Sequence, residues 1–154
     1  MLKLCDNDKL NILLKVYEFM FSEMQEFRAK MLRLVLAYNG VLIIMVGWLF
    51  NTQLDLTLDH KILLSIGVLT VLSITLIAIK TFKSYFLNIA KVINKIDHAV
   101  LLYEGGQYVE NATVFPDEWD TFGKKTWKEP VFDNSRLTIY VTTIFVLLLV
   151  WFLV

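Results

Sequence analysis

Three uncharged apolar stretches constrain this chain more than any other feature. They cover residues 34–50, 62–79 and 137–154, and none contains Asp, Glu, Lys, Arg or His. A helix rises 1.5 Å per residue, so each stretch is roughly 25–27 Å long, close to the ~30 Å hydrocarbon core of a bilayer. The composition agrees, because 56% of the residues are hydrophobic, whereas soluble domains contain about 45–50%. The pattern predicts three transmembrane helices, and a buried core helix is the alternative for the third.

The distribution of Lys and Arg predicts how such helices would be oriented. Six of these residues precede the first stretch, one lies between the first and second, and eight lie between the second and third. Positively charged flanks stay in the cytoplasm. We therefore expect a multi-pass protein of the inner (cytoplasmic) membrane. Its N-terminus and long second connection would be cytoplasmic, and its C-terminus would lie outside.

Apolar residues recur at alternating steps of three and four beside the first two stretches. The first set is Leu10, Leu13, Tyr17, Met20, Met24, Phe27 and Met31; the second is Phe82, Phe86, Ile89, Ile93, Ile96, Val100 and Tyr103. This spacing is typical of a coiled-coil seam. Neither segment contains Pro or Gly, so each is predicted to run unbroken into its membrane span, with the second ending at Gly105 and Gly106.

These patterns together predict an all-α membrane protein with three transmembrane helices. The first two helices would extend into a cytoplasmic antiparallel helical hairpin over residues 1–108. Residues 109–136 would form an aromatic-rich cytoplasmic connecting segment, and residues 137–154 the third span.

The first helix also carries apolar residues away from its seam. They are Ile12, Leu14, Val16, Phe19 and Phe21. One facing helix cannot cover so many sides, and an apolar stripe left in water marks an interface. A homo-oligomer is the expectation, and the alternative is that the connecting segment folds back over this face.

The connecting segment is rich in aromatic residues, which are candidates for binding a cytoplasmic protein partner. They are Tyr108, Phe115, Trp119, Phe122 and Trp127. So many aromatic side chains should pack on the hairpin or on another chain. Residues 117–120 hold three carboxylates. Pro116 before them favours a helix start, with Pro116 at its first position, over a metal site.

Within the first span, Asn39, Gly40 and Gly47 are candidates for intramembrane packing or for a pore. Asn39 is the most polar residue of any span. An amide in a membrane usually faces protein, so a hydrogen bond between helices is the simpler interpretation and a pore-lining role the alternative.

The sequence offers little for catalysis. It contains no nucleotide-binding, serine-hydrolase or zinc-protease motif. The net charge is zero and there is one cysteine, which argues against nucleic-acid binding and against a thiolate metal site. His60 and His98 would lie on opposite sides of the membrane, with His98 at an exposed helix position. We expect no enzyme activity, no cofactor and no metal.

The layout resembles that of SLATT-type membrane effectors of bacterial defence systems. The matching features are the helix YEFMFSEMQEFRAKMLRL, the paired spans and the continuation FKSYFLNIAKVINKIDHAVLLYEGGQY, which together cover about the first 108 residues. The third span departs from a two-span SLATT unit. The segment from GQY to FPDEWDTFG is also similar to one in small bacterial membrane proteins. The resemblance implies an oligomer that perturbs the membrane when a partner senses infection.

Two functions are therefore expected. One is an oligomeric effector that forms a pore or perturbs the bilayer. The other is a membrane-anchored accessory subunit whose aromatic segment docks a cytoplasmic partner.

Overall fold

The computed structural model describes residues 6–51, 57–110, 112–122 and 129–152. Three long α-helices occupy most of this range: α1 is Asp6–Asn51, α2 is Leu58–Ala99 and α3 is Pro130–Phe152. A short 3-10 helix, Asp117–Thr121, lies between α2 and α3. The described residues contain no strand, only an isolated bridge between Val109 and Ala112. The prediction of an all-helical chain is confirmed.

All three long helices are long and apolar enough to cross a membrane. Each helix contains a continuous apolar stretch of 18 residues, and only 17%, 17% and 28% of these stretches in α1, α2 and α3 is buried. So much exposed apolar surface would be unfavourable in water, whereas it is the ordinary surface of a helix in lipid. The prediction of three potential membrane spans is confirmed.

The helix α3 begins earlier than the apolar stretch that predicted it. Its first residue is Pro130, seven positions before residue 137. Proline suits the first position of a helix because that residue needs no N–H partner and its φ angle is already helical. The predicted span began at residue 137 because the first turns of α3 contain the charged residues Asp133 and Arg136.

The chain divides into two compact units. Unit 1 comprises the described residues of Met1–Phe27 and Ser84–Lys128, and unit 2 those of Arg28–Lys83 and Glu129–Val154. Helices α1 and α2 therefore contribute residues to both units, whereas α3 belongs to unit 2 alone.

The core of unit 2 draws on all three helices. Its most buried apolar side chains are Met31, Tyr38, Leu42 and Leu49 of α1, Val68 and Ile79 of α2, and Phe132, Ile139, Val146 and Val150 of α3. Hydrogen bonds that join helices here include Tyr38 Oη with Thr143 Oγ1 at 2.6 Å and Trp151 Nε1 donating to Ser65 Oγ at 3.0 Å. Side-chain hydrogen bonds between helices supply directional contacts that apolar packing lacks.

The core of unit 1 lies along α2. Phe86, Ile93 and Ile96 from the second predicted seam are buried, together with Ala90 and with Met24 of α1. The rings of Phe27 and Tyr85 stack with centroids 5.9 Å apart.

Helix α2 ends at Ala99, so the predicted end at Gly105 and Gly106 is wrong. Leu102 N–H donates to Asp97 O at 3.0 Å and Leu101 N–H to His98 O at 3.1 Å, and Leu101 has a left-handed φ of 62°. These two bonds form the Schellman motif that closes many helices, usually with glycine at the left-handed position. Here a leucine takes that position, so no glycine in the sequence marked the helix end.

Candidate functional site

One buried amide fixes the connecting segment to α2. Asn94 Nδ2 donates to Asp120 O and to Phe122 O, both at 2.9 Å. Asn94 is only 8% exposed, and the two carbonyls belong to the 3-10 helix and to its C-terminal cap. A single side chain thus satisfies two backbone acceptors and holds the 3-10 helix in place.

A histidine beside this amide makes a second contact with the same element. His98 Nε2 lies 2.7 Å from Asp120 Oδ1, and both side chains are about half exposed. The Tyr103 ring packs on the imidazole, with centroids 4.7 Å apart. The prediction that His98 is an exposed helix position is confirmed, but its bond to Asp120 was missed. The two residues are 22 positions apart, and no local pattern connects them.

Aromatic rings continue outward from His98. Tyr103 meets Phe115 with centroids 5.8 Å apart, and Phe115 meets Trp119 at 5.3 Å. Leu102 O accepts hydrogen bonds from Val114 N–H and Phe115 N–H, and Tyr108 Oη donates to Val100 O at 2.8 Å. The described part of the segment is therefore packed on itself and on the end of α2.

The structure locates four of the five aromatic candidates. Phe115 and Phe122 are partly buried, whereas Tyr108 is 59% and Trp119 52% exposed. Trp127 lies outside the described residues. Tyr108 and Trp119 therefore offer apolar surface on an anchored segment, and their role in binding a partner stays a prediction.

The acidic run forms one 3-10 turn over Asp117–Thr121, in line with the predicted helix start. Pro116 is the N-cap and not the first helical residue, and no side chain caps the turn. Among the described residues, no group of three or more His, Cys, Asp or Glu could hold a metal ion.

The most unusual group in unit 1 is Asp97, which the sequence did not mark. It is 3% exposed, and its Oδ1 atom is buried without a hydrogen-bond partner. Burial raises the pKa of Asp97 from 3.8 to about 6, partly offset by the neighbouring His98. The only available signal was the position of a carboxylate directly beside the seam residue Ile96.

Two tyrosines share the environment of Asp97. Burial, together with the charges of Asp97, Asp120 and Tyr17, raises the pKa of Tyr103 to about 12. Burial and Asp97 also raise the pKa of Tyr17. All three pKa values are raised because an apolar environment solvates the negatively charged forms of these side chains poorly.

The intramembrane candidates lie on α1 in unit 2. Asn39 Oδ1 is buried without a partner, and Asn39 lines a cavity of about 180 Å³ between α1 and α3. A Cβ atom added at Gly40 or Gly47 would meet nothing within 4 Å. Neither glycine is therefore needed for close packing inside this chain, and their use between chains stays a prediction.

Exposed apolar side chains occur on two opposite sides of the N-terminal part of α1, before its uncharged stretch. At about 100° per residue, Leu10, Leu14 and Phe21 lie on one side with exposed fractions of 44–48%, and Ile12 and Phe19 lie on the other. The described part of the connecting segment leaves all five exposed, and the choice between an oligomer and cover by that segment stays a prediction. We call Leu10, Leu14 and Phe21 the α1 apolar face.

These features define a class: a small all-α protein with three helices that could span a membrane. No family model, curated protein or solved structure matches this chain.

Proposed function

We propose that this chain is a non-enzymatic integral membrane protein that works as a homo-oligomer and perturbs the bilayer in which it assembles. The observation that carries the proposal is the α1 apolar face. Its side chains are 44–48% exposed in a part of α1 that also carries Lys9, Lys15 and Glu18. Apolar side chains among charged ones indicate an aqueous location, where exposed apolar surface favours association.

A second copy of the chain suits this face because of its spacing. Leu10, Leu14, Tyr17 and Phe21 follow one another at steps of four, three and four, and the rings of Tyr17 and Phe21 stack at 6.5 Å. This is the spacing of a coiled-coil seam. Copies inserted in one bilayer with the same orientation present α1 in parallel, so the seam of one copy matches that of the next.

The proposal includes the orientation argued from Lys and Arg. The N-terminal part of α1 and the connecting segment would lie in the cytoplasm, with α1 and α2 forming an antiparallel hairpin that continues into the inner membrane. The three uncharged stretches contain no ionisable Asp, Glu, Lys, Arg or His. A proton relay or a charged selectivity ring within the bilayer is therefore disfavoured. The resemblance to SLATT-type effectors supports perturbation of a bacterial membrane as the outcome.

The test is induced expression in bacteria, with membrane potential and dye exclusion as readouts. The wild type, alone or with its genomic neighbours, should depolarise cells. The double variant Leu14→Ser/Phe21→Ser should insert normally but lose both oligomer mass and depolarisation. The matched control is Gln25→Ser, an exposed polar position on the same helix, and it should behave as the wild type. Intact potential with the wild type, or full depolarisation by the double variant, would contradict the proposal.

The second candidate is a membrane-anchored accessory subunit. The exposed Tyr108 and Trp119 favour it, since they lie on a segment held by Asn94 and His98. Rigid aromatic side chains are frequent energetic centres of protein interfaces. Capture of a co-expressed partner should then fall at least tenfold with Trp119→Ala and persist with Lys91→Ala. Equal capture by both variants would exclude this surface.

A further inference from the structure

We propose that Asp97 is a proton-sensitive latch: its neutral form holds residues 101–110 and 112–122 on the end of α2, and its ionised form releases them. The latch depends only on contacts within unit 1. It stands whether or not the chain forms oligomers.

The first observation is the position of Asp97 in the helix. It lies 18 residues beyond the second uncharged stretch, in the last turn of α2, where its backbone carbonyl accepts the Leu102 N–H at 3.0 Å. Unpaired carbonyls give a helix C-terminus partial negative charge, which disfavours a carboxylate there. The ionised side chain of Asp97 is therefore unfavourable at the C-terminus of α2, the helix end at which the backbone carbonyl of the same residue accepts a hydrogen bond.

The second observation is the lack of compensation for that charge. Asp97 Oδ1 is buried and has no hydrogen-bond donor. Asp97 raises the pKa of Tyr17 on α1 and of Tyr103 in the turn after α2, and His98 on α2 itself lowers the pKa of Asp97. Asp120 of the 3-10 helix acts on Tyr103 and bonds His98. Only His98 favours the anion, and its Nε2 is already engaged by Asp120.

The third observation concerns the polar contacts and the backbone conformation at the point where the segment joins the end of α2. Asn94 and His98 hold the 3-10 helix, and Leu102 O holds Val114 and Phe115. Leu101 has a φ of 62°, a conformation that is unfavourable for a residue with a Cβ atom. Releasing the segment relieves this strain and admits water to the carboxylate.

The direction of the effect follows from linkage. In the closed state the pKa of Asp97 is about 6, compared with 3.8 when the group is solvated. The closed state therefore binds the proton more tightly than the open state. Protonation favours the closed state fully below pH 3.8, and this stabilisation is lost as the pH rises through about 6.

The latch can be tested by electron paramagnetic resonance on the full chain in nanodiscs. Spin labels would be placed at Lys91→Cys on α2 and Glu110→Cys on the segment, both exposed positions, in a Cys5→Ser background. The distance distribution should be narrow at pH 5 and broaden by pH 8. From the pKa difference of Asp97, the ratio of open to closed forms should rise about tenfold across this range.

Variants separate Asp97 from other titrating groups. Asp97→Asn keeps the shape of the side chain without its charge, so it should remain closed at pH 8. The matched control is Glu104→Gln, an exposed carboxylate on the same segment, which should retain the wild-type transition. His98→Gln should keep most of the transition. A wild type with no change between pH 5 and 8 would overturn the proposal, as would an Asp97→Asn protein with the full wild-type change.

Discussion

Two guanidinium nitrogens of Arg28 contact the carboxylate oxygen Oε1 of Glu129. Nε lies 3.1 Å and Nη2 3.0 Å from Glu129 Oε1, and the Glu129 side chain is only 6% exposed. Glu129 directly precedes Pro130, the first residue of α3. The pair therefore ties the start of α3 to α1 across 101 positions of sequence.

Removing the arginine should destabilise unit 2. Arg28→Ala removes a cation that contacts the buried Glu129 carboxylate, and we expect the free energy of unfolding to fall by about 2–3 kcal/mol. The control is Lys83→Ala, because the Lys83–Asp133 pair at 3.0 Å is more exposed and such pairs contribute at most ~1 kcal/mol. Denaturant unfolding in detergent measures both values. Equal losses of unfolding free energy in the two variants would contradict a larger contribution from the buried Arg28–Glu129 pair.

Asn94 should determine the order of the 3-10 helix. Asn94→Ala removes the donors to Asp120 O and Phe122 O, and we expect a loss of about 1–3 kcal/mol. Amide hydrogen exchange over residues 117–122 should increase. Asn94→Asp is the matched variant, since it keeps the shape but offers carboxylate oxygens to the two carbonyls, and it should be at least as disruptive. Unchanged exchange in both would show that other contacts hold the turn.

Replacing Leu101 with glycine should stabilise the folded chain. Leu101→Gly removes the Cβ atom from a position with φ 62°, and we expect stabilisation of up to about 1 kcal/mol after allowing for the greater freedom of the unfolded chain. The neighbouring Val100→Gly relieves no such strain and should destabilise by a similar amount. Thermal unfolding of the two variants gives the comparison. A lower melting temperature for Leu101→Gly would mean that its side-chain contacts outweigh the strain.

A hydrogen bond in unit 2 should contribute measurably to helix packing. Thr143 Oγ1 donates to Ile139 O at 2.6 Å, so Tyr38 Oη is the donor in the 2.6 Å contact with Thr143. Tyr38→Phe should lower the unfolding free energy by about 1 kcal/mol, the usual scale for such bonds in membranes. A double-mutant cycle with Thr143→Ala isolates the pair. A coupling energy near zero would show that the bond adds nothing beyond packing.

The stability of the chain should depend on pH through Asp97. At pH 7.5, Asp97→Asn should raise the free energy of unfolding by up to about 3 kcal/mol, because the pKa in the folded state is about 6 against 3.8 when solvated. The gain should shrink as the pH falls through about 6 and vanish below 3.8. Unfolding at several pH values measures it. A gain that is independent of pH would indicate a packing effect and not a charge effect.

The connecting segment illustrates what sequence patterns miss. Its aromatic residues and its helical turn were predicted from local composition, since Pro116 and the acids after it favour a helix start. The end of α2 was misplaced because glycine is the usual signal for a left-handed residue, and here Leu101 takes that conformation. The bonds from Asn94 and His98 join residues 22 to 28 positions apart, beyond the reach of any periodicity.

The sequence by itself determined that the chain is helical and that three segments are apolar enough for a bilayer. Runs of 17 or 18 uncharged residues can satisfy their backbone in lipid only as helices. The tertiary structure alone decided which polar groups meet: Arg28 with Glu129, Tyr38 with Thr143, and His98 with Asp120. It alone left Asp97 Oδ1 buried without a hydrogen-bond partner. Local hydrophobicity patterns indicate whether a segment is more stable in lipid or in water, whereas the pairing of distant polar groups depends on how the helices pack.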